Sequence, residues 1–307
     1  MPDFQLVIIG GGPAGLTAGL YAARARLNVL LLEKGAAGGQ VMNTGWVDNY
    51  PGFPEGISGL ELAEKIVAQT ERFELPKKMK EVSSLEIADR VKKIKLTDGE
   101  ELTCDSLILA TGARPGKLDV PGEEKLTGKG VSYCATCDAP FFRDQDIAVI
   151  GGGDTAIQEA DHLTKFASKV TVVHRRNELK ATRVIQDKAF ANQKLDFIWD
   201  SVVTEIIGDK EVNGIRLKNK HGEESALPVK GVFILVGIQP NKEILPLDVL
   251  DNDDGFIKTD QEMSTSIPGV MAVGDIRSKE VRQIVNATGE GAVACLTAQR
   301  YLAALEK

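Results

Sequence analysis

Two stretches of this chain carry the same device 141 residues apart, and that repeat constrains the fold more than any other feature. "FQLVIIGGGPAGLTAGLYAARARLNVLLLEKG" starts with a β-rich run from Phe4 to Ile9, meets three glycines, passes through an Ala- and Leu-rich helix and closes on an apolar strand ending at Glu33. "DIAVIGGGDTAIQEADHLTKFASKVTVVHRR" repeats the order, with a strand to Ile150, Gly151 to Gly153, a helix and a strand ending near Val173. Each reads as a strand, a crossover helix and a parallel strand. Gly10 and Gly151 are 141 positions apart, as are Glu33 and His174, so duplication of one nucleotide-binding unit is the economical reading. A single G-x-G-x-x-G, here Gly10, Gly12 and Gly15, is weak evidence; two glycine turns in register with matching strand ends are strong.

A further echo sets the domain plan. "SLILATGARP" (Ser106 to Pro115) resembles "GVFILVGIQP" (Gly231 to Pro240), each an apolar run closing on Gly and then Pro, and each is expected to be the last parallel strand of its unit. Pro115–Gly116 and Pro240 to Pro246 then read as crossing points between domains. The expected fold class is α/β, with two Rossmann-like, three-layer nucleotide-binding domains, one inserted in the other. Residues 1–115 begin the outer domain, 116–244 form the inserted one and 245–307 complete the first. At 307 residues the chain is long enough for two hydrophobic cores. "VSSLEIADRVKKIKLTDGEELTCDSL" and "VVTEIIGDKEVNGIRLKNKHGEESALPV" alternate apolar and polar residues around turns, so a small antiparallel sheet is expected in each domain.

The glycines allow a tight turn, close approach of backbone amides to a pyrophosphate and close helix-to-strand packing, with the helix N-terminus attracting the phosphate charge. Glu33 is placed to accept hydrogen bonds from ribose hydroxyls and would repel a 2′-phosphate, so the first site suits FAD or NAD. At the second strand end stand His174, Arg175 and Arg176, with Lys180 and Arg183 close behind. Guanidinium groups bond a 2′-phosphate bidentately, so that site suits NADPH. Two nucleotide sites in one chain imply hydride transfer with a flavin as intermediary, since a flavin passes two electrons on to a thiol pair.

Composition narrows the function classes. A net charge of −7 argues against a generic nucleic-acid backbone binder. Leu6 to Ala23 is 18 residues without a charge, but Gly10 to Gly12 and Pro13 describe a turn and a helix start rather than a membrane span. Asp3 stands where a basic leader region would be, so a cytoplasmic protein is expected. Four cysteines do not make a secreted disulfide framework at this length. Cys134 and Cys137 form C-x-x-C in "VSYCATCDAPFF", a spacing open to a catalytic disulfide, half a metal site or two packed thiols. Zinc needs about two more ligands, and His162, His174 and His221 show no paired metal spacing; no metal is expected. Cys104 and Cys295 read as buried small apolar residues.

In order and spacing, "GGGPAG", "ATGA", "CATCDAPFF", "GGGDTA", "HRRNELK" and "GVMAVGD" resemble the low-molecular-weight thioredoxin reductases of bacteria, over essentially the whole chain. The resemblance implies that residues 1–115 and 245–307 bind FAD and residues 116–244 bind NADPH and carry the redox pair. It implies FAD contacts from Gly10, Gly12, Pro13, Ala14, Gly15, Glu33, Lys34, Gly39 and Gln40, joined by Asn49, Ala113, Gly274, Asp275, Arg282 and Gln283. It implies NADPH contacts from Gly153, Asp154, Thr155, His174, Arg175, Arg176 and Lys180. The implied activity passes electrons from NADPH through FAD and the Cys134–Cys137 disulfide to thioredoxin, in a homodimer. Cys137 is then the flavin-facing sulfur, Cys134 the attacking thiolate and Asp138 the acid/base, with a helix N-cap as the structural alternative for Asp138. Two departures stand out: Lys180 where the family often has Arg, and Ala139 where Gly commonly follows the Asp. A dithiol oxidase that ignores nicotinamide and a redox-sensing flavoprotein are the competing readings.

Overall fold

The structure, a computed structural model, describes residues 2–44 and 46–305. The chain divides into two compact units, one of Met1–Arg114 with Pro240–Lys307 and one of Pro115–Gln239. The architecture is α/β, with two Rossmann-like units, the second inserted in the first. The passages between them, Ala113–Pro115 and Ile238–Pro240, run side by side as a two-stranded ribbon.

In the outer unit the parallel strands lie in the order Lys77–Met79, Val29–Glu33, Phe4–Ile9, Glu101–Leu109. Both faces of this sheet are covered at its centre, which is why residues 6–9, 29–32 and 107–109 are continuous apolar runs rather than alternating ones. Leu6, Ile8 and Leu31 point into one core, with the helices Pro13–Arg24 and Ile284–Leu305. Val7, Ile9, Leu30 and Leu32 point into the other. The two helices meet backbone to backbone: a Cβ on Gly291 would lie 2.2 Å from the Ala14 carbonyl oxygen.

The hairpin Val82–Glu86 and Lys92–Leu96 differs from expectation. It does not form a sheet of its own but pairs antiparallel with the first half of Glu101–Leu109, while Val270–Ala272 pairs parallel with the second half. That strand is nine residues long, enough to serve two neighbours on one side. It is therefore an inner strand, not the last.

The inserted unit repeats the plan, with parallel strands in the order Leu195–Ile198, Lys169–Val173, Asp146–Ile150, Gly231–Ile234, Val131–Ser132. Gly231–Ile234 is again an inner strand. Ile147, Val149, Val170 and Val172 pack on the helix Asp154–Leu163 through Ile157, Ala160 and Leu163. On the opposite face Ala148, Ile150 and Val173 meet a separate three-stranded antiparallel sheet, Ser201–Gly208, Val212–Asn219 and Glu224–Leu227. The result is three layers.

The duplication holds at the level of single hydrogen bonds. Ile9 pairs with Leu32 as Ile150 pairs with Val173. The Gly10 amide donates to the Leu32 carbonyl at 2.8 Å, and the Gly151 amide to the Val173 carbonyl at 3.2 Å. Ala110 and Leu235 donate to Ile9 and Ile150, both at 2.8 Å. Among the described residues no helix is long and apolar enough to cross a membrane.

Candidate active site: two glycine loops and a disulfide

In the outer unit the turn after Ile9 is built by backbone. Gly10 has φ +109°, and a Cβ there would fall 2.2 Å from the Ala110 carbonyl oxygen, so only glycine fits. Pro13 opens the helix at the position where its missing N–H costs nothing. The space over that helix start is open: the nearest atom to a Cβ on Gly12 is the Gly39 Cα at 3.9 Å. Glu33 closes the turn from the neighbouring strand. Its Oε2 accepts from the Gly11 amide at 2.6 Å and its Oε1 from the Gly35 amide at 2.9 Å. Lys34 and Gln40 are exposed, and Lys34 makes a surface ion pair with Glu81 at 3.8 Å.

The C-terminal part brings Gly274 and Asp275 to the same loop: a Cβ on Gly274 would sit 3.1 Å from the Ala14 Cβ. Burial pushes the Asp275 carboxyl above the ordinary aspartate range, with Lys279, 3.8 Å away, pulling the other way. Asp275 Oδ1, Thr111 Oγ1 and Arg282 Nε are buried without a hydrogen-bond partner. Buried polar atoms are nearly always paired, so these three fit a polar ligand held in this unit. The Arg282 guanidinium lies 4.6 Å from the Phe256 ring centre, and Gln283 accepts from the exposed Asn49 side chain at 3.0 Å. Ala113 is buried at the end of the unit.

The inserted unit has a cavity of about 640 Å³ over its own glycine turn. Gly151 to Gly153, Thr155, His174, Arg175, Arg176 and Lys180 line it. Gly153 begins the helix with φ −89° and nothing within 4 Å of where a Cβ would stand, a cradle open to an anionic ligand. Asp154 does not line the cavity; its Oδ1 accepts from the Thr182 amide at 2.6 Å. The Gly152 carbonyl accepts from the amides of Lys180 and Ala181 at 2.7 and 3.1 Å. Together they hold Lys180 beside the loop.

His174 departs from the cationic reading of the strand end. It is 8% exposed, with its ring pressed under Gly152, where a Cβ would meet Nδ1 and Cε1 at 2.3 Å. Burial pushes the imidazole below its ordinary value, and the positive charges of Arg176 and Arg175 push the same way. His174 is thus a neutral wedge whose Nε2 has no partner, and the positive charge comes from the exposed Arg175, Arg176 and Lys180.

Cys134 and Cys137 are joined by a disulfide. Cys134 caps the short helix Ala135–Asp138, its Sγ accepting from the Cys137 amide at 3.3 Å. Ser132 Oγ accepts from the Cys134 amide at 3.1 Å and donates to the Cys134 carbonyl at 3.2 Å. Asp138 makes no side-chain cap, so its structural alternative falls away. Burial pushes its carboxyl up, opposed by the Ser132 hydroxyl. Ala139 takes ordinary helical angles, φ −49° and ψ −43°, and is fully buried in the core with Ala135 and Phe142. No special backbone angle demands glycine there.

Cys104 and Cys295 are buried, and burial pushes the Cys104 thiol up to about 12. His162 is half-buried against Phe166, whereas His221 is exposed. Among the described residues no cluster suited to a metal occurs.

Sequence reading missed Lys117, Ser201 and Gln239, which line the cavity from the unit's other segments, and Thr111. Lys117 and Ser201 carry no local motif, and Gln239 stands in the echo "GVFILVGIQP" without being singled out by it. Only Thr111 had a hint, the apolar run ending "ATG".

Residues 4–291 match the protein family described as pyridine nucleotide-disulphide oxidoreductase. The chain belongs to that family. Among curated members, the thioredoxin reductase of Listeria monocytogenes is 46% identical over 99% of this chain and 95% of its own length. That of Streptomyces coelicolor is 45% identical over 98% and 94%. The crystal structure of thioredoxin reductase from Streptococcus pyogenes MGAS5005 matches with a TM-score of 0.93 at 48% identity, covering 98% of both chains. As a pyridine nucleotide-disulphide oxidoreductase, the chain carries a glycine cradle in each unit and a disulfide in the second.

Proposed function

We propose that this flavoprotein is a thioredoxin-disulfide reductase, taking electrons from NADPH and delivering them to a thioredoxin-like protein disulfide. The observation that carries the reading is the disulfide between Cys134 and Cys137, just ahead of the second glycine loop in a unit with its own nucleotide-sized cavity. The relatives named thioredoxin reductase, matched over nearly their full length, support the choice of thioredoxin.

The outer unit would hold FAD: Gly10, Gly12, Pro13, Ala14 and Gly15 at the pyrophosphate, Glu33 at the ribose, and Lys34, Gly39, Gln40, Asn49, Ala113, Gly274, Asp275, Arg282 and Gln283 around the rest. The unpartnered Asp275, Thr111 and Arg282 atoms fit that assignment. The inserted unit would hold NADPH, with Gly153 and Thr155 at the pyrophosphate, Arg175, Arg176 and Lys180 at the 2′-phosphate, and His174 and Asp154 shaping the loop. When bound, NADPH supplies the hydride and FAD the two-electron relay to a thiol pair.

The protein's own chemistry then centres on one bond. The Cys134–Cys137 disulfide takes up two electrons and two protons and opens to two thiols. The Cys134 thiolate attacks the partner disulfide and forms a mixed disulfide, releasing one partner thiolate; Cys137 attacks Cys134 and frees the second. The partner leaves as a dithiol and the enzyme disulfide is restored. Asp138, held toward its protonated form by burial, is suited to give a proton to a departing thiolate and to take one back. A cytoplasmic homodimer is part of the same reading.

The test is oxidation of NADPH and of NADH by the flavin-loaded protein with an oxidised thioredoxin, with free thiols counted at the end. NADPH-dependent release of two thiols per turnover supports the reading. Loss of flavin colour by a dithiol but not by NADPH would favour the dithiol oxidase instead.

A further inference from the structure

A buried carboxylate ties the redox segment to the first stretch of the inserted unit. Glu123 is 3% exposed. Its two oxygens accept from the Leu118 amide, both at 3.1 Å, its Oε2 from the Val120 amide at 3.3 Å, and its Oε1 from the Tyr133 hydroxyl at 2.7 Å. Leu118 and Val120 lie just past the chain passage at Pro115, and Tyr133 immediately precedes Cys134. Leu118, Val120 and Tyr133 all pack on the core around Ile150, Val173 and Val232.

A carboxylate out of water is costly unless its oxygens are satisfied, so these donors are held in place. The Tyr133 hydroxyl is the only side-chain donor in the set. Burial, and then Glu123, push the phenol above its ordinary value, so it stays protonated and keeps donating. On the other side of Tyr133, Ser132 holds both the amide and the carbonyl of Cys134. Ser132 thus pins the backbone of Cys134, while Glu123 anchors Tyr133, the residue between them.

The geometry points to Glu123 and Tyr133 as a positioning pair that sets the thiol–disulfide equilibrium of Cys134 and Cys137. The inference rests on the proposed redox role of that disulfide. Holding Cys134 in one backbone geometry raises the effective concentration of each sulfur at the other and favours the bond. Releasing it favours the dithiol.

The experiment equilibrates the flavin-loaded protein with dithiothreitol buffers. Each dithiothreitol that closes to its cyclic disulfide gives two electrons and two protons to the Cys134–Cys137 bond. Both thiols are then counted by alkylation and mass. Tyr133→Phe keeps the ring and removes the donor, and Glu123→Gln is the second variant. In Tyr133→Phe the equilibrium constant for closing the disulfide is expected to fall about three- to tenfold, a tenfold change being about 30 mV for this two-electron couple. Flavin reduction by NADPH keeps its rate. Combining both substitutions should cost little more than either one.

A shift under twofold in Tyr133→Phe, a shift toward the disulfide, or an equal loss in the NADPH half-reaction overturns the inference. The buffer titration needs no NADPH. A parent protein whose disulfide NADPH cannot open would sink the proposed function while leaving the anchoring test intact.

Discussion

Gly153→Ala separates a loop that merely turns from one that holds an anion. Gly153 adopts φ −89° and ψ 176°, angles any residue takes, and nothing lies within 4 Å of its would-be Cβ. The protein itself has room for the methyl group. Exchanging Gly for Ala at a helix N-cap costs under about 1 kcal/mol, so the melting temperature should fall by no more than about 4 °C. The added methyl, however, stands where the cradle faces its ligand. Pushing a pyrophosphate off the helix N-terminus should weaken NADPH by at least about tenfold, or about 1.4 kcal/mol. The assay is the NADPH KM in steady-state thioredoxin reduction, with flavin content and melting followed on the same samples. Gly152→Ala is the contrast. Its Cβ would lie 2.3 Å from the buried His174 ring, so this variant should lose about 1–3 kcal/mol of stability whether or not nucleotide is present. An unchanged NADPH KM in folded Gly153→Ala would refute the cradle.

Other outcomes follow from the same geometry. Replacing Arg175 and Arg176 together with Gln should erase about tenfold or more of the preference for NADPH over NADH and leave the NADH KM unchanged, because only the 2′-phosphate loses its partners. Asp138→Asn should stop thiol exchange with thioredoxin while flavin reduction by NADPH persists. Its melting curve against pH carries a definite sign. Burial raises the Asp138 pKa, so the stability it contributes is complete below the ordinary 3.8 and is lost as pH rises through the raised value. The Asn variant should therefore melt above the parent at neutral pH, with the gap closing near pH 3. In the reduced native protein iodoacetamide should label Cys134 and Cys137 but not Cys104 or Cys295, whose burial raises both thiols; counting adducts by mass checks it.

Much of the fold was legible because it is written twice. The 141-residue displacement of glycines and strand ends survives as matched backbone hydrogen bonds at Gly10 and Gly151, since a buried parallel strand, a tight turn and a packed helix each demand particular residue types locally. The hairpin at Val82–Leu96 was legible as a hairpin but not as a continuation of the main sheet, because nothing local says how far Glu101–Leu109 extends. The disulfide was legible as a spacing with three readings, and its neighbours decided among them. Side-chain roles were the least legible. His174 looks like a cation beside two arginines, yet burial under Gly152 makes it neutral. Asp154 stands at a helix start beside the loop, and its Oδ1 accepts from the Thr182 amide, 28 positions on. Glu123 looks like one of many surface acids and is among the most buried charges in the chain. Each depends on a partner that is distant in sequence, which periodicity and motif spacing do not reach.

On the proposed relay, electrons reach a partner protein only through the bond between Cys134 and Cys137. Cys134→Ser tests this in one preparation, by anaerobic mixing with NADPH followed by oxidised thioredoxin. Flavin bleaching at the parent rate with no thioredoxin thiols formed is the expected result, and thioredoxin reduction at the parent rate would overturn the relay.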